Sequence, residues 1–165
     1  MSLLVSKKDL LLQKIHGFFK EKRAIDLMIS VVTGQTVLSL RLLDWLVTNY
    51  SKKYKVSYNG INDLHSEYRN QLKAYSKKLF DPFCRRDRVT IEELPVETTI
   101  GQLNFFRWAI TKDVLKFASD NIDRIEEDMT KSYSTRKTTT HKRQRCVVSK
   151  GGISQNSVPI LISFA

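Results

Sequence analysis

Apolar residues recur every three or four positions through most of this chain, and this spacing constrains the fold more than any other feature. Residues at i, i+3 and i+4 share one face of an α-helix, so the spacing indicates amphipathic helices. It is found in successive segments between positions 7 and 129. One such stripe, which Trp45 broadens, contains Leu42, Leu43, Leu46, Val47 and Tyr50. We therefore expect a mainly α protein, a compact bundle of about five to six helices.

Capping residues predict where these helices begin. Ser6, with Asp9 three residues later, resembles a capping box ahead of a helix over residues 7–22. Further helix starts are predicted by Ser39, Asn62, Thr99 and Asp113. The segment that Gly34 would terminate is also rich in β-branched residues, so a strand is the alternative interpretation there.

Two prolines limit regular structure in the middle of the chain. Asp81-Pro82 predicts the end of the fourth helix, because the residue before proline disfavours the α region. The stretch VTIEELPVE is predicted to be extended, and Pro95 restricts it to an edge strand or a loop.

The C-terminal part of the chain differs in composition from the rest. Residues 131–165 are basic, rich in Ser and Thr, and lack a helical stripe. We therefore predict a helical domain over residues 1–130 and an extended basic arm over residues 131–165 that orders on a partner. Its apolar end is predicted to be a short β-strand that pairs with VTIEEL or adds to a sheet edge of another molecule, through Val158, Ile160, Leu161, Ile162 and Phe164.

The net charge of +11 is distributed unevenly along the chain. Residues 1–88 contain 17 Lys and Arg against 8 Asp and Glu, and residues 129–165 contain 7 against none. Residues 89–128 contain 4 against 9. Two basic regions therefore flank an acidic one, a pattern that governs association rather than fold.

Two groups of basic residues are candidate partner sites. The first lies on the fourth helix and the following loop: Arg69, Lys73, Lys77, Lys78, Arg85, Arg86 and Arg88. The second lies in the arm: Arg136, Lys137, Lys142, Arg143 and Arg145. The cations at 69, 73 and 77 would repel one another along a helix unless something negative lay across them. The alternative for the first group is a solvated helix face.

Catalysis and metal binding are both disfavoured. Neighbouring arginines would favour the thiolate of Cys84, but a nucleophilic cysteine also needs a histidine base. No phosphate-binding loop or hydrolase motif is present, and the histidines show no metal-ligand spacing with the cysteines. We therefore predict no enzymatic activity, no cofactor and no metal. Cys84 is predicted to pack in a turn with Phe80 and Phe83 buried and the nearby arginines turned outward.

Targeting features are absent from the sequence. No apolar run approaches the roughly 18 residues of a membrane span. The first residues are too interrupted by charge for a secretory signal. These observations predict a soluble intracellular chain or part of a soluble assembly.

Four stretches together resemble a known family: SLRLLDWLVTNYSKKYKVSY, YRNQLKAYSKKLFDPFCRRDRV, ETTIGQLNFFRWAI and TRKTTTHKRQRCVVSKGGISQNSVPILISF. The family is an uncharacterised one of large nucleocytoplasmic DNA viruses, of the iridovirus, marseillevirus and mimivirus type. The resemblance covers roughly residues 37–164 and implies a viral setting, but it transfers no catalytic residue.

In that setting we expect a non-enzymatic viral structural protein. The first hypothesis is a minor capsid component that bridges other capsid subunits through its basic surfaces and its arm. The alternative is a sequence-independent DNA-binding protein of the virion or viral factory. Expected partners are other viral structural proteins, further copies of this chain or nucleic acid. A membrane surface stays open as a partner, and no small-molecule substrate is predicted. The expected locations are the virion and the assembly site in the host cytoplasm.

Overall fold

The computed structural model of the protein describes residues 5–151, with side chains described for residues 5–136. The chain divides into two compact units, residues 1–126 and 127–165. In chain order the elements are α1 (Lys7–Phe18), α2 (Lys22–Val32), α3 (Leu40–Trp45), a π-helical turn (Leu46–Tyr50), α4 (Ser51–Tyr54), α5 (Leu64–Leu79), β1 (Arg88–Val89), β2 (Thr98–Thr99), α6 (Ile100–Thr111), α7 (Val114–Asp120) and α8 (Ile122–Gly151). The predicted mainly α architecture is confirmed. The strand alternative before Gly34 is wrong, because α2 is helical.

Capping explains where several helices begin. Ser6 and Asp9 form the predicted capping box of α1. The side chain of Ser39 accepts a hydrogen bond from the Leu42 amide, and Thr99 does the same for Gln102. The cap of α5 is Asp63 rather than Asn62, since the Asp63 carboxylate accepts from the His65 amide. A carboxylate at this position also complements the positive end of the helix dipole.

The predicted sixth helix is two helices in the structure. Its first part, α7, follows Asp113, whose φ of 54° lies in the left-handed region. Helix α7 then ends at Asn121, whose side-chain amide donates to the Phe117 carbonyl oxygen at 3.0 Å. An Asn side chain that bonds to the preceding turn competes with the helical ladder, and α8 starts immediately afterwards.

Residues 131–151, predicted to be extended, continue α8 as a helix. The segment contains no proline, and its first glycine is Gly151, so nothing local breaks the helix. Its Lys, Arg and Gln residues are good helix formers and need no apolar stripe for local helicity. The predicted strand over residues 158–164 lies outside the described residues. The first residue of its expected partner VTIEEL, Val89, belongs to β1, which pairs antiparallel with β2 and places Val89 opposite Thr98.

Helix α6 forms the centre of the core of the first unit. Nine of its twelve residues are buried, as expected for a helix surrounded by other elements. Aromatic rings extend this core. The ring centre of Phe80 lies 5.4 Å from that of Phe105, 5.5 Å from that of Trp108 and 5.9 Å from that of Tyr68. Among the described residues, no helix combines the length and the apolar character of a membrane span.

Candidate functional site

The turn after α5 is built around a buried carboxylate. Phe80 ends the helix with an extended backbone and no exposed surface. The side chain of Asp81 is only 6% exposed and accepts two hydrogen bonds from Arg85, Nε to Oδ2 at 2.9 Å and Nη2 to Oδ1 at 3.0 Å. Asp81 Oδ1 also accepts from the amide of Phe83 at 3.2 Å. The Arg85 side chain therefore stabilises this turn.

Helix α6 anchors the same turn through buried amides. Asn104 Nδ2 donates to the Leu79 carbonyl oxygen at 2.8 Å, and Gln102 Nε2 donates to that of Pro82 at 3.0 Å. Both amide side chains satisfy carbonyl groups that the end of α5 leaves without helical partners. The sequence prediction missed them. Their only signal was two amide residues within the otherwise apolar stretch GQLNFFRWAI.

The structure gives Cys84 the surroundings of a packed side chain. Cys84 and Phe83 are half-buried, and the Arg85 guanidinium lies 4.9 Å from the centre of the Phe83 ring. The Nδ1 of His65, the nearest histidine in sequence, donates to the Val47 carbonyl oxygen at 3.1 Å. Phe80 is buried as predicted, whereas Phe83 is only partly so. In the described part of the chain, no cluster of His, Cys, Asp or Glu could hold a metal ion.

The seven basic residues predicted around α5 fall into two classes. Arg85 pairs with Asp81, and Arg88 Nη1 lies 2.9 Å from Glu97 Oε2. The other five are exposed, and no carboxylate among the described residues lies within 4 Å of them: Arg69, Lys73, Lys77, Lys78 and Arg86. We call these five the unpaired cations.

A kink in α5 changes how these cations are arranged. Ser76 has φ 59° and ψ 171°, a conformation that interrupts the helix between Lys73 and Lys77. Helical spacing therefore aligns Arg69 with Lys73 but does not carry the row on to residue 77. Lys7 of α1 donates to the carbonyl oxygen of Ala74, just before the kink.

Beyond the kink lies a cavity of about 500 Å³, lined by Lys8, Ser76, Lys78, Leu79, Arg86, Asp87, Val89, Thr99 and Ile100. It brings together Lys78 and Arg86 of the predicted group. It also adds Lys8 from α1, which sequence reasoning did not single out because it lies 70 positions from Lys78. Three cations and one carboxylate surround this space, which we call the basic cavity.

Burial perturbs two titratable groups near the Asp81 turn. Burial raises the pKa of Asp44 above its ordinary value, and the negative charge of Asp81 adds to the effect. Burial also raises the pKa of Tyr68 to about 12, with a contribution from Asp44. Loss of solvation disfavours the charged form in both cases. Tyr68 belongs to the aromatic core, so we assign these shifts to packing rather than to catalysis.

The second predicted group of basic residues lies in the second unit. Arg136 is exposed on α8, with its guanidinium 5.9 Å from the centre of the Tyr133 ring. The side chains of Lys137, Lys142, Arg143 and Arg145 lie outside the described residues. Their contribution to a partner site stays a prediction.

Comparison with known proteins confirms the viral resemblance. Residues 3–159 match the family model DUF7197, described as a family of unknown function. The chain is also 35% identical over 173 residues to the uncharacterized protein L507 of Acanthamoeba polyphaga mimivirus. This alignment covers 95% of the chain and 64% of the mimivirus protein, so the chain spans just under two thirds of that relative. No solved structure matches the chain.

Proposed function

The chain belongs to the family DUF7197, and we propose that it is a non-enzymatic viral structural protein that binds an acidic partner through its basic residues. The observation that carries the proposal is the set of unpaired cations, exposed on α5 and the following loop. Cations grouped without carboxylate partners create a positive potential that attracts a complementary surface. Arg85 and Arg88 are not part of this set, because each pairs with a carboxylate of the chain.

The first candidate role is a minor capsid component that bridges other structural proteins. The alternation of basic, acidic and basic regions along the chain supports it, since one molecule can then contact partners of either sign. Residues 131–151 of the basic arm are helical rather than extended.

A second candidate role, sequence-independent DNA binding, is favoured by one specific observation. Residues 129–165 contain seven Lys and Arg and no acidic residue. A segment without carboxylates suits phosphate contacts, which release counterions and make binding strongly salt-dependent. The phosphate backbone of DNA is uniformly negative, whereas protein surfaces rarely carry charge of only one sign.

Cross-linking of intact particles tests the bridging role. Purified particles of the virus that encodes this chain would be treated with a lysine-reactive cross-linker and analysed by mass spectrometry. We expect cross-links from Lys73, Lys77 and Lys78 to other structural proteins. Absence of the chain from purified particles would contradict the proposal.

A DNA titration across a salt series separates the two roles. Full-length protein would be titrated with random-sequence duplex DNA between about 50 and 200 mM salt. Lys142→Gln with Arg143→Gln in the basic arm would be compared with Lys14→Gln with Lys20→Gln, which removes the same charge from exposed positions elsewhere. Weak binding at the higher salt supports bridging of proteins. Tight, salt-sensitive binding that only the first pair weakens supports DNA as the partner.

A further inference from the structure

We propose that the basic cavity binds the phosphate group of a small phosphomonoester whose organic part lies against the apolar wall. The site is a binding site rather than a centre of catalysis, and it shares Lys78 and Arg86 with the unpaired cations of the function proposed above. It joins α1, the end of α5, the loop after it and the start of α6.

Charge is the first argument. Lys8, Lys78 and Arg86 come from three separate parts of the chain and converge on one cavity. None of the three has a carboxylate within 4 Å in the described region, and Asp87 is the one acidic residue in the lining. The lining thus carries a net charge of +2. A phosphomonoester carries about −1.5 to −2 at pH 7, which matches it.

The N-terminal end of α6 supplies the second argument. Its N-cap Thr99 and its first residue Ile100 both line the cavity. The first amides of a helix lack intrahelical partners, and the helix dipole places partial positive charge at this end. Thr99 Oγ1 accepts a hydrogen bond from the Gln102 amide and so caps α6 at the cavity. Phosphate groups bind readily at such helix ends.

The strained backbone of Ser76 is the third argument. Its φ of 59° with ψ of 171° lies in a region that is nearly restricted to glycine. Such strain persists where surrounding contacts enforce it, and it clusters at ligand sites. Here it occurs at the cavity wall, two residues before the cation Lys78.

The apolar part of the lining indicates that the ligand is larger than phosphate. Leu79, Val89 and Ile100 are the apolar residues of the lining. A volume of about 500 Å³ lies within the range of small-molecule sites, about 300–1,000 Å³. Inorganic phosphate would leave these three apolar side chains uncovered, whereas the base or sugar of a nucleoside monophosphate would bury them.

Calorimetric titration of the full-length chain with AMP, inorganic phosphate and adenosine tests the proposal. We expect AMP to bind at physiological salt and each fragment to bind at least about tenfold more weakly, because each lacks one half of the recognition. Affinity for AMP should fall severalfold from pH 7.5 to pH 5.5, as the phosphate is protonated near its second pKa of about 6. Adenosine that binds as tightly as AMP would overturn the phosphate assignment.

Paired variants assign the binding to the cavity. Lys78→Gln with Arg86→Gln should weaken AMP binding by at least about tenfold. Lys14→Gln with Lys20→Gln removes the same charge from exposed positions outside the lining and should change the affinity less than about twofold. Equal losses in both pairs, or no saturable binding by the native chain, would overturn the proposal. Loss of AMP binding alone, with particle cross-links intact, would leave the structural role standing.

Discussion

Arg85 and Arg86 are neighbours in sequence but have different surroundings in the structure. Arg85 makes a two-point contact with the nearly buried carboxylate of Asp81, whereas Arg86 lines the basic cavity. The pattern RRDR in the sequence is the same for both and predicts only that they face outward. The distinction comes from Asp81, which is placed under Arg85 by the turn that ends α5.

Substitution of these two arginines should therefore have different effects on stability. Arg85→Gln leaves the Asp81 carboxylate without its cationic partner and should lower the free energy of unfolding by about 1–2 kcal/mol. This value is below that of a fully buried pair because the Arg85 side chain is 60% exposed. Arg86→Gln should change it by less than about 0.5 kcal/mol. Urea denaturation of both variants checks this, and equal effects would contradict the assigned roles.

The pH dependence of stability should report on Asp44. Its pKa in the folded state is raised above the ordinary 3.8, first by burial and then by Asp81. A group with a raised folded pKa favours the folded state fully below its unfolded pKa, and this contribution is lost as pH rises through the folded value. Ionised Asp44 therefore disfavours folding at neutral pH.

Asp44→Asn removes this ionisation and should stabilise the protein at pH 7. The gain should shrink below pH 3.8, where the native carboxyl is also neutral. Denaturation curves of both proteins at pH 7 and at a pH below 3.8 measure this gain in the free energy of unfolding. A variant that is less stable at pH 7, or equally shifted at both values, would show that the carboxylate is well solvated or paired.

At the scale of elements, the contact between α6 and the end of α5 depends on Gly101. A Cβ atom at this position would lie 3.2 Å from the carbonyl oxygen of Lys78 and 3.4 Å from the amide nitrogen of Phe80. These are backbone atoms of the neighbouring element and cannot rotate away. The same approach allows the Asp81 amide to donate to the Gly101 carbonyl oxygen at 3.2 Å.

Gly101→Ala should therefore destabilise the protein by about 1–2 kcal/mol, although alanine is the better helix former. Gly17 provides a matched control, because it lies in α1 and a Cβ there would meet nothing within 4 Å. Gly17→Ala should stabilise by about 0.5 kcal/mol. Thermal unfolding of both variants tests the pair. A stabilising Gly101→Ala would mean that the two elements can separate without cost.

At the scale of the first unit, stability should be highest at its centre. The backbone of α6 is enclosed by buried side chains, and its amides can exchange with solvent only when the surrounding core opens. We expect hydrogen exchange of residues 103–109 to be the slowest in residues 1–126. Its opening free energy should equal that of global unfolding. Exchange there as rapid as in α5, where half of the residues are exposed, would contradict this assignment.

The whole molecule also explains why the candidate site was only partly predictable. The unpaired cations were found from the sequence because a clustered charge is visible in one dimension. Lys8 was missed, as its neighbours Lys78 and Arg86 join it only through the packing of α1 against α6. The strain at Ser76 was equally invisible, since tertiary contacts and not local preference impose its conformation.

The sequence by itself determined what depends on near neighbours along the chain. Period and capping residues are local properties, so the helical class and the starts at Ser6, Ser39 and Thr99 were correctly predicted. Tertiary structure alone decided the burial of the Asp81 carboxylate, the buried amides of α6 and the basic cavity. These depend on which side chains meet across the fold, and burial rather than spacing sets their energies.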